Sequence, residues 1–189
     1  MESVGFKEWA LVCEALGRGE QTVIVRKGGI AEGRDGFAFR HGEFFLFPTF
    51  FHAQVERVRT PNAEIPARRD GEVEIRYFAR VEAVRFIDEW ETAGALAPFH
   101  ILADDVVRER FDYDASPGIH VAFVRVFRVQ PAWTFPDERR YGGCRSWVNL
   151  PDRLAEQRLE PVLSDAEHRE RLASFCAIAG AAENAAPVG

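Results

Sequence analysis

The sequence predicts an α+β protein, a small mixed β-barrel with helices inserted between its strands and a helical appendage towards the C-terminus. Three observations predict it. Six or so β segments of uneven length are separated by helical segments at irregular intervals, whereas a doubly wound sheet alternates strand and helix regularly. Segment 72–86 alternates apolar and polar residues over a length that suits a bent stave, and the alternation slips by one at Ala83-Val84, as it does at a bulge. Segment 119–130 is apolar on both sides, the pattern of a central strand.

In chain order, 6–18 reads as an amphipathic helix, with Trp9, Val12, Cys13 and Leu16 at helical spacing and a stop at Gly17 and Gly19. A strand over 21–27 follows, buried on both sides until Arg26 and Lys27 emerge before Gly28-Gly29. His41-Gly42 reads as a tight turn between aromatic strands 37–40 and 43–47, the second ended by Pro48. Thr49 is placed to cap a short helix over 49–58, and the proline-containing, highly charged segment 60–71 reads as a loop. After strand 72–86 come a short helix over 88–95 and a second one begun by Asp104 and Asp105, whose carboxylates favour a helix N-terminus. Beyond strand 119–130, a glycine turn in YGGCRSWVNL leads to a short strand. Residues beyond Pro151 read as helical to about 179, interrupted by Pro161 and restarted by the capping sequence from Ser164 to Glu167. The expected organisation is one domain over 1–150, a helical extension over 151–180 and a disordered tail over 181–189.

Bulk properties narrow the function classes. At 189 residues the chain supports one good core, and no apolar run approaches the roughly 18 residues of a spanning helix. A net charge of −6 disfavours a dedicated duplex-DNA binder, which needs clustered cations to neutralise phosphates. The three cysteines are odd in number and far apart, so no disulfide framework is expected and the cytoplasm is the expected compartment.

The stretch GEQTVIVRKGGI carries the first candidate site. Guanidinium and ammonium donors at Arg26 and Lys27, beside a backbone freed by Gly28 and Gly29, form an anion site; the same residues also fit a turn with two solvated cations. Arg110 and Arg125 either extend that cationic lining or bind a carboxylate such as Glu14 in the core. Phe47, Phe50, Phe51, Trp133 and Trp147 either stack on an unpaired base or fill the core. His52, His100, His120 and Cys144 are ligand types without a recognised metal spacing, and Cys144 with His52 or His100 is a candidate nucleophile pair. A nuclease of the ExK type is excluded by the two lysines, Lys7 and Lys27, neither of which follows an acidic residue by two.

Four blocks carry a resemblance: KEWALVCEALGRGEQTVIVRKGGI, FFLFPTFFHAQ, HILADDVVRERF and YGGCRSWVNL. In this order they resemble an uncharacterised prokaryotic family, domain of unknown function 1802, over roughly residues 7–150. That resemblance implies no activity. The passage from helix to strand is also similar to the ASCH branch of the PUA-like barrels, whose pattern G-x-K-x-x-E-x-R is associated with RNA or nucleotide binding. Gly19, Gln21, Ile24 and Arg26 stand at its Gly, Lys, Glu and Arg positions, so only the glycine and the arginine are kept. This second resemblance implies a PUA-like barrel and, with Lys and Glu lost, binding rather than catalysis.

The expectation is therefore a non-catalytic domain that binds a nucleotide, RNA or single-stranded DNA, with no metal, no cofactor and no membrane association. Its expected ligand-binding residues are Arg26, Lys27, Gly28, Gly29, His52, His100, Arg110, Arg125 and Trp147. Two alternatives stay open. One is a hydrolase using the histidines or Cys144, with or without a metal; the other is a scaffold whose C-terminal helices dock a partner, predicting a homodimer.

Overall fold

The structure is a computed structural model that describes residues 3–27, 38–113, 115–152 and 157–180. It has a mixed α+β architecture: seven strands in one sheet and four α-helices among the described residues. The strands are β1 (Val4–Trp9), β2 (Val23–Arg26), β3 (Glu43–Thr49), β4 (Glu72–Ile87), β5 (Ile119–Pro136), β6 (Trp147–Asn149) and β7 (Arg158–Pro161). The helices are α1 (Ala10–Arg18), α2 (Trp90–Ala95), α3 (Asp104–Phe111) and α4 (Asp165–Ala179). None of these helices is long and apolar enough to cross a membrane.

The sheet order is β2-β5-β4-β3-β1-β6, with β7 paired to β5 beyond the end of β2. The long antiparallel pair β4 and β5 forms the spine, and its register shifts between Ile75 and Tyr77 and between Val81 and Ala83. The second shift lies next to the expected slip at Ala83-Val84. The expected barrel is not shown: β2 and β6 are the two ends of the sheet, with no backbone ladder between them among the described residues.

Four local expectations are corrected, each by tertiary pairing. The expected helix over 6–18 begins only at Ala10, because Val4–Trp9 is a strand held between β3, in parallel, and β6, antiparallel. Hydrogen bonds on both edges outweigh a helical periodicity that Phe6 and Trp9 share only by spacing. The hairpin at His41-Gly42 is absent among the described residues: 38–42 form no strand, Phe37 lies outside them, and both edges of β3 are taken by β1 and β4. Pro48 does not end β3, which runs on to Thr49; the Thr49 hydroxyl donates to the Glu8 carbonyl, and the following 3-10 helix, His52–Arg57, is entered from Phe51. The helical reading beyond Pro151 fails at Arg158–Pro161, which pairs with β5, whereas α4 starts as expected with Ser164 and Glu167 in a reciprocal capping box. Residues 181–189, expected to be a disordered tail, lie outside the described residues.

Two apolar clusters hold the sheet. The larger joins Phe6, α1, β2, β5 and the helices, and Phe175 of α4 is fully buried there against Phe99 and Phe123. The smaller gathers Phe45, Phe47, Phe78, Trp133, Phe135 and Tyr141 on the outer arms of β4 and β5. Because successive residues of a strand face opposite sides, β1 contributes to both: Gly5 abuts Val148 and Leu150 of the smaller cluster, and Phe6 belongs to the larger.

Candidate functional site

β1 and β2 bring together a cluster of charged side chains. Glu8 is 2% exposed, and its carboxylate accepts from the Trp9 backbone N–H at 2.9 Å and lies 3.9 Å from Arg26 Nη1. Arg26, the last residue of β2, donates from Nη2 to Ser146 Oγ at 2.7 Å and packs its guanidinium 5.1 Å from the Phe6 ring centre. From α3, Arg110 donates to the Val25 carbonyl and stacks 4.9 Å from the centre of the Trp9 ring. Arg57 lies 5.7 Å from the same ring and pairs with Glu109. Burial lowers the Arg110 pKa to about 10; Glu8 opposes the fall, and Arg26 and Arg57 add to it. Arg110 thus feels two other guanidiniums, Arg26 and Arg57, and two carboxylates, the buried Glu8 and the solvent-facing Glu109.

Aromatic rings flank the cluster. Phe51, 38% exposed, meets Trp9 edge-on at 5.2 Å. Trp147 packs against Phe6, Phe44 and His41, and its buried indole N–H has no acceptor among the described residues.

Of the residues expected at the site, Arg26, Arg110 and Trp147 converge on Phe6 and Glu8. Gly28 and Gly29 lie outside the described residues. Lys27 turns elsewhere, its ammonium donating to the Ser116 carbonyl at 2.8 Å and lying 5.9 Å from the exposed Phe86 ring. Arg125 is not part of the cluster: partly exposed, it pairs with the solvent-facing Asp165 at the start of α4 and packs over Phe127. His100 is buried under the carbonyl-bound Arg59, and burial, then Arg59 and Arg110, lower its pKa to about 4. His52 is exposed on the 3-10 helix, and no hydrogen bond joins Cys144 to His52 or His100 among the described residues. No group of three His, Cys, Asp or Glu placed to hold a metal ion occurs among them either. Gln21 and Ile24 are structural: the Gln21 amide donates to the Val23 carbonyl and accepts from the Ile101 N–H, and Ile24 is fully buried.

Sequence reasoning missed Lys7, Glu8, Trp9 and Arg57. The signal was VGFKEW, a charged pair within an apolar run; the helical reading leaves Lys7 and Glu8 off the apolar stripe of Trp9, Val12, Cys13 and Leu16. On the strand they face opposite sides. Lys7 accordingly lines a separate cavity of about 290 Å³, whose wall also carries Glu14, Arg68, Arg69, Glu72, Glu74 and Arg76.

No curated protein matches the chain in sequence. Among solved structures, the ASCH protein of Zymomonas mobilis is similar, with 14% identity, coverage of 92% of this chain and 95% of that one, and a TM-score of 0.47. A serine-to-alanine mutant of the same Zymomonas mobilis protein gives 13% identity, coverage of 92% and 96%, and a TM-score of 0.46. The family described as a domain of unknown function (DUF1802) matches residues 5–174, from β1 into the C-terminal helix, and the chain belongs to that family.

Proposed function

We propose that the protein is a non-catalytic binding domain for a nucleotide or an unpaired base of single-stranded nucleic acid, held at the Arg26, Arg57 and Arg110 cluster. The observation that carries this reading is the placing of Arg110 where Arg26 and Arg57 both repel it, with Glu8 and Glu109 as the acids of the cluster, in a chain of net charge −6. Such a cluster is favourable where an anion completes it, and phosphate matches the fork of an arginine. Phe51 and Trp9 supply aromatic faces beside the cations, the combination that stacks unpaired bases. Cysteines that are free among the described residues fit a reducing compartment, the cytoplasm.

Fluorescence anisotropy with labelled single-stranded RNA and DNA tests the reading. The expected result is salt-sensitive binding weakened about tenfold by Arg57→Ala and by Phe51→Ala, both partly solvent-facing and tolerable to the fold. Absence of binding, or binding indifferent to salt and to both substitutions, overturns it.

A further inference from the structure

The cavity on the Lys7 side of β1 is a second site, and its wall is polarised. Lys7 is 8% exposed, and its ammonium donates to the Gly142 and Gly143 carbonyls at 3.1 and 3.0 Å. Among the described residues no carboxylate lies within ion-pair distance of it. The other cations of the wall are all matched: Arg68 by Asp137, Arg69 by Glu72 and Glu74, and Arg76 by Glu74 and Glu14. Glu14 also accepts from the Tyr77 hydroxyl at 3.0 Å.

These pairings leave charge at both ends. Arg69 and Arg76 offer two positive charges to three carboxylates, Glu14, Glu72 and Glu74, so one negative charge is in excess there. Its loosest holder is Glu72, 3.8 Å from Arg69 and 46% exposed in its side chain, which puts the surplus at the solvent side. Lys7, 8% exposed, carries an ammonium with no ion pair among the described residues. Phe47, Phe50, Val73 and Tyr141 also line the cavity.

We propose that this cavity binds an apolar zwitterion of dipeptide size, its carboxylate on Lys7 and its ammonium towards Glu72 and Glu74. A buried cation is costly unless paired, and a ligand carboxylate supplies the missing partner. Burial, the largest cause, and then Arg145 lower the Lys7 pKa, against Cys144 and Asp137, which raise it. Size agrees: a compact space of 290 Å³ is about 8 Å across, and two extended residues span roughly 7 Å. A phosphate dianion is disfavoured, because every guanidinium of the wall is engaged by a carboxylate. The site lies across β1 from the arginine cluster and stands independently of its function.

Isothermal titration calorimetry of the full chain with L-leucyl-L-phenylalanine, its N-acetyl derivative and its C-terminal amide tests the assignment. The expected result is saturable binding of the free dipeptide, with each blocked form at least about tenfold weaker. Glu72→Gln weakens the free dipeptide and leaves the N-acetyl form unchanged, whereas Lys7→Met abolishes binding of both. Glu72→Gln, at an exposed position, carries the test alone if Lys7→Met does not fold. Equal binding of all three compounds, no binding of the free dipeptide, or binding unaffected by Glu72→Gln overturns the proposal.

Discussion

Arg26 at the end of β2 donates to the hydroxyl of Ser146, the residue before β6, at 2.7 Å, so the two ends of the sheet are tied by a side chain where no ladder joins them among the described residues. A hydrogen bond to a charged donor contributes about 1.5–3 kcal/mol, less where water can replace it. With the Arg26 side chain 21% exposed, Ser146→Ala is expected to cost about 1 kcal/mol, read as a lower urea midpoint at unchanged slope. An unchanged midpoint would show that the tie contributes nothing.

Glu8→Gln neutralises a buried acid that pairs with Arg26 and acts on Arg110 but keeps its shape and its bond to the Trp9 N–H. Breaking a buried pair from one side costs about 3–5 kcal/mol, because the remaining charge is left uncompensated. The melting temperature should fall, and added inorganic phosphate should restore more of it in the variant than in the parent. Equal phosphate effects would argue against an anion at the cluster.

Gly17→Ala sets propensity against packing. Alanine gains about 1 kcal/mol in a helix interior. Here its Cβ would stand 2.0 Å from Cζ of the Tyr77 ring, which is itself tied to Glu14. Overpacking should win, with a net loss of about 1–3 kcal/mol by chemical denaturation. A stabilised variant would mean that the ring moves freely.

His100 gives the fold a pH dependence. Its pKa falls from 6.5 to about 4 on folding, so between those values the unfolded chain binds more protons, and stability rises with pH. The contribution is complete above 6.5 and is lost as pH falls towards 4; the shift corresponds to about 3 kcal/mol. His100→Gln should flatten the stability curve across that window, with His120 and His168, whose pKa values burial also lowers, supplying a residual slope. A slope as steep as the parent's would remove His100 from the account.

Ser164→Ala opens the capping box of α4, whose hydroxyl accepts from the Glu167 N–H while the Glu167 carboxylate accepts from the Ser164 N–H. The expected loss is about 1 kcal/mol. Hydrogen exchange should then quicken in the first turn of α4 while the buried Phe175 keeps its end docked.

Much of this fold is written in local pattern. The length and slip of β4, the two-sided apolar run of β5, the acidic start of α3 and the Ser164 cap are each read from a few neighbouring residues, because period, capping and charge at helix ends act over one or two turns. The place of Arg26 is legible for the same reason, as a cation at the end of an apolar strand. Only tertiary pairing made VGFKEW a strand, since both its edges are satisfied by segments roughly 40 and 140 residues away. That decision turned Lys7 and Glu8 to opposite faces. One came to line a cavity and the other to act on Arg26 and Arg110, Arg125 found Asp165 instead of Glu14, and no ladder joins β2 and β6 among the described residues. Long-range partners decide such matters because the free energy of a buried charge or a strand edge depends on what lies across from it, which local spacing does not encode.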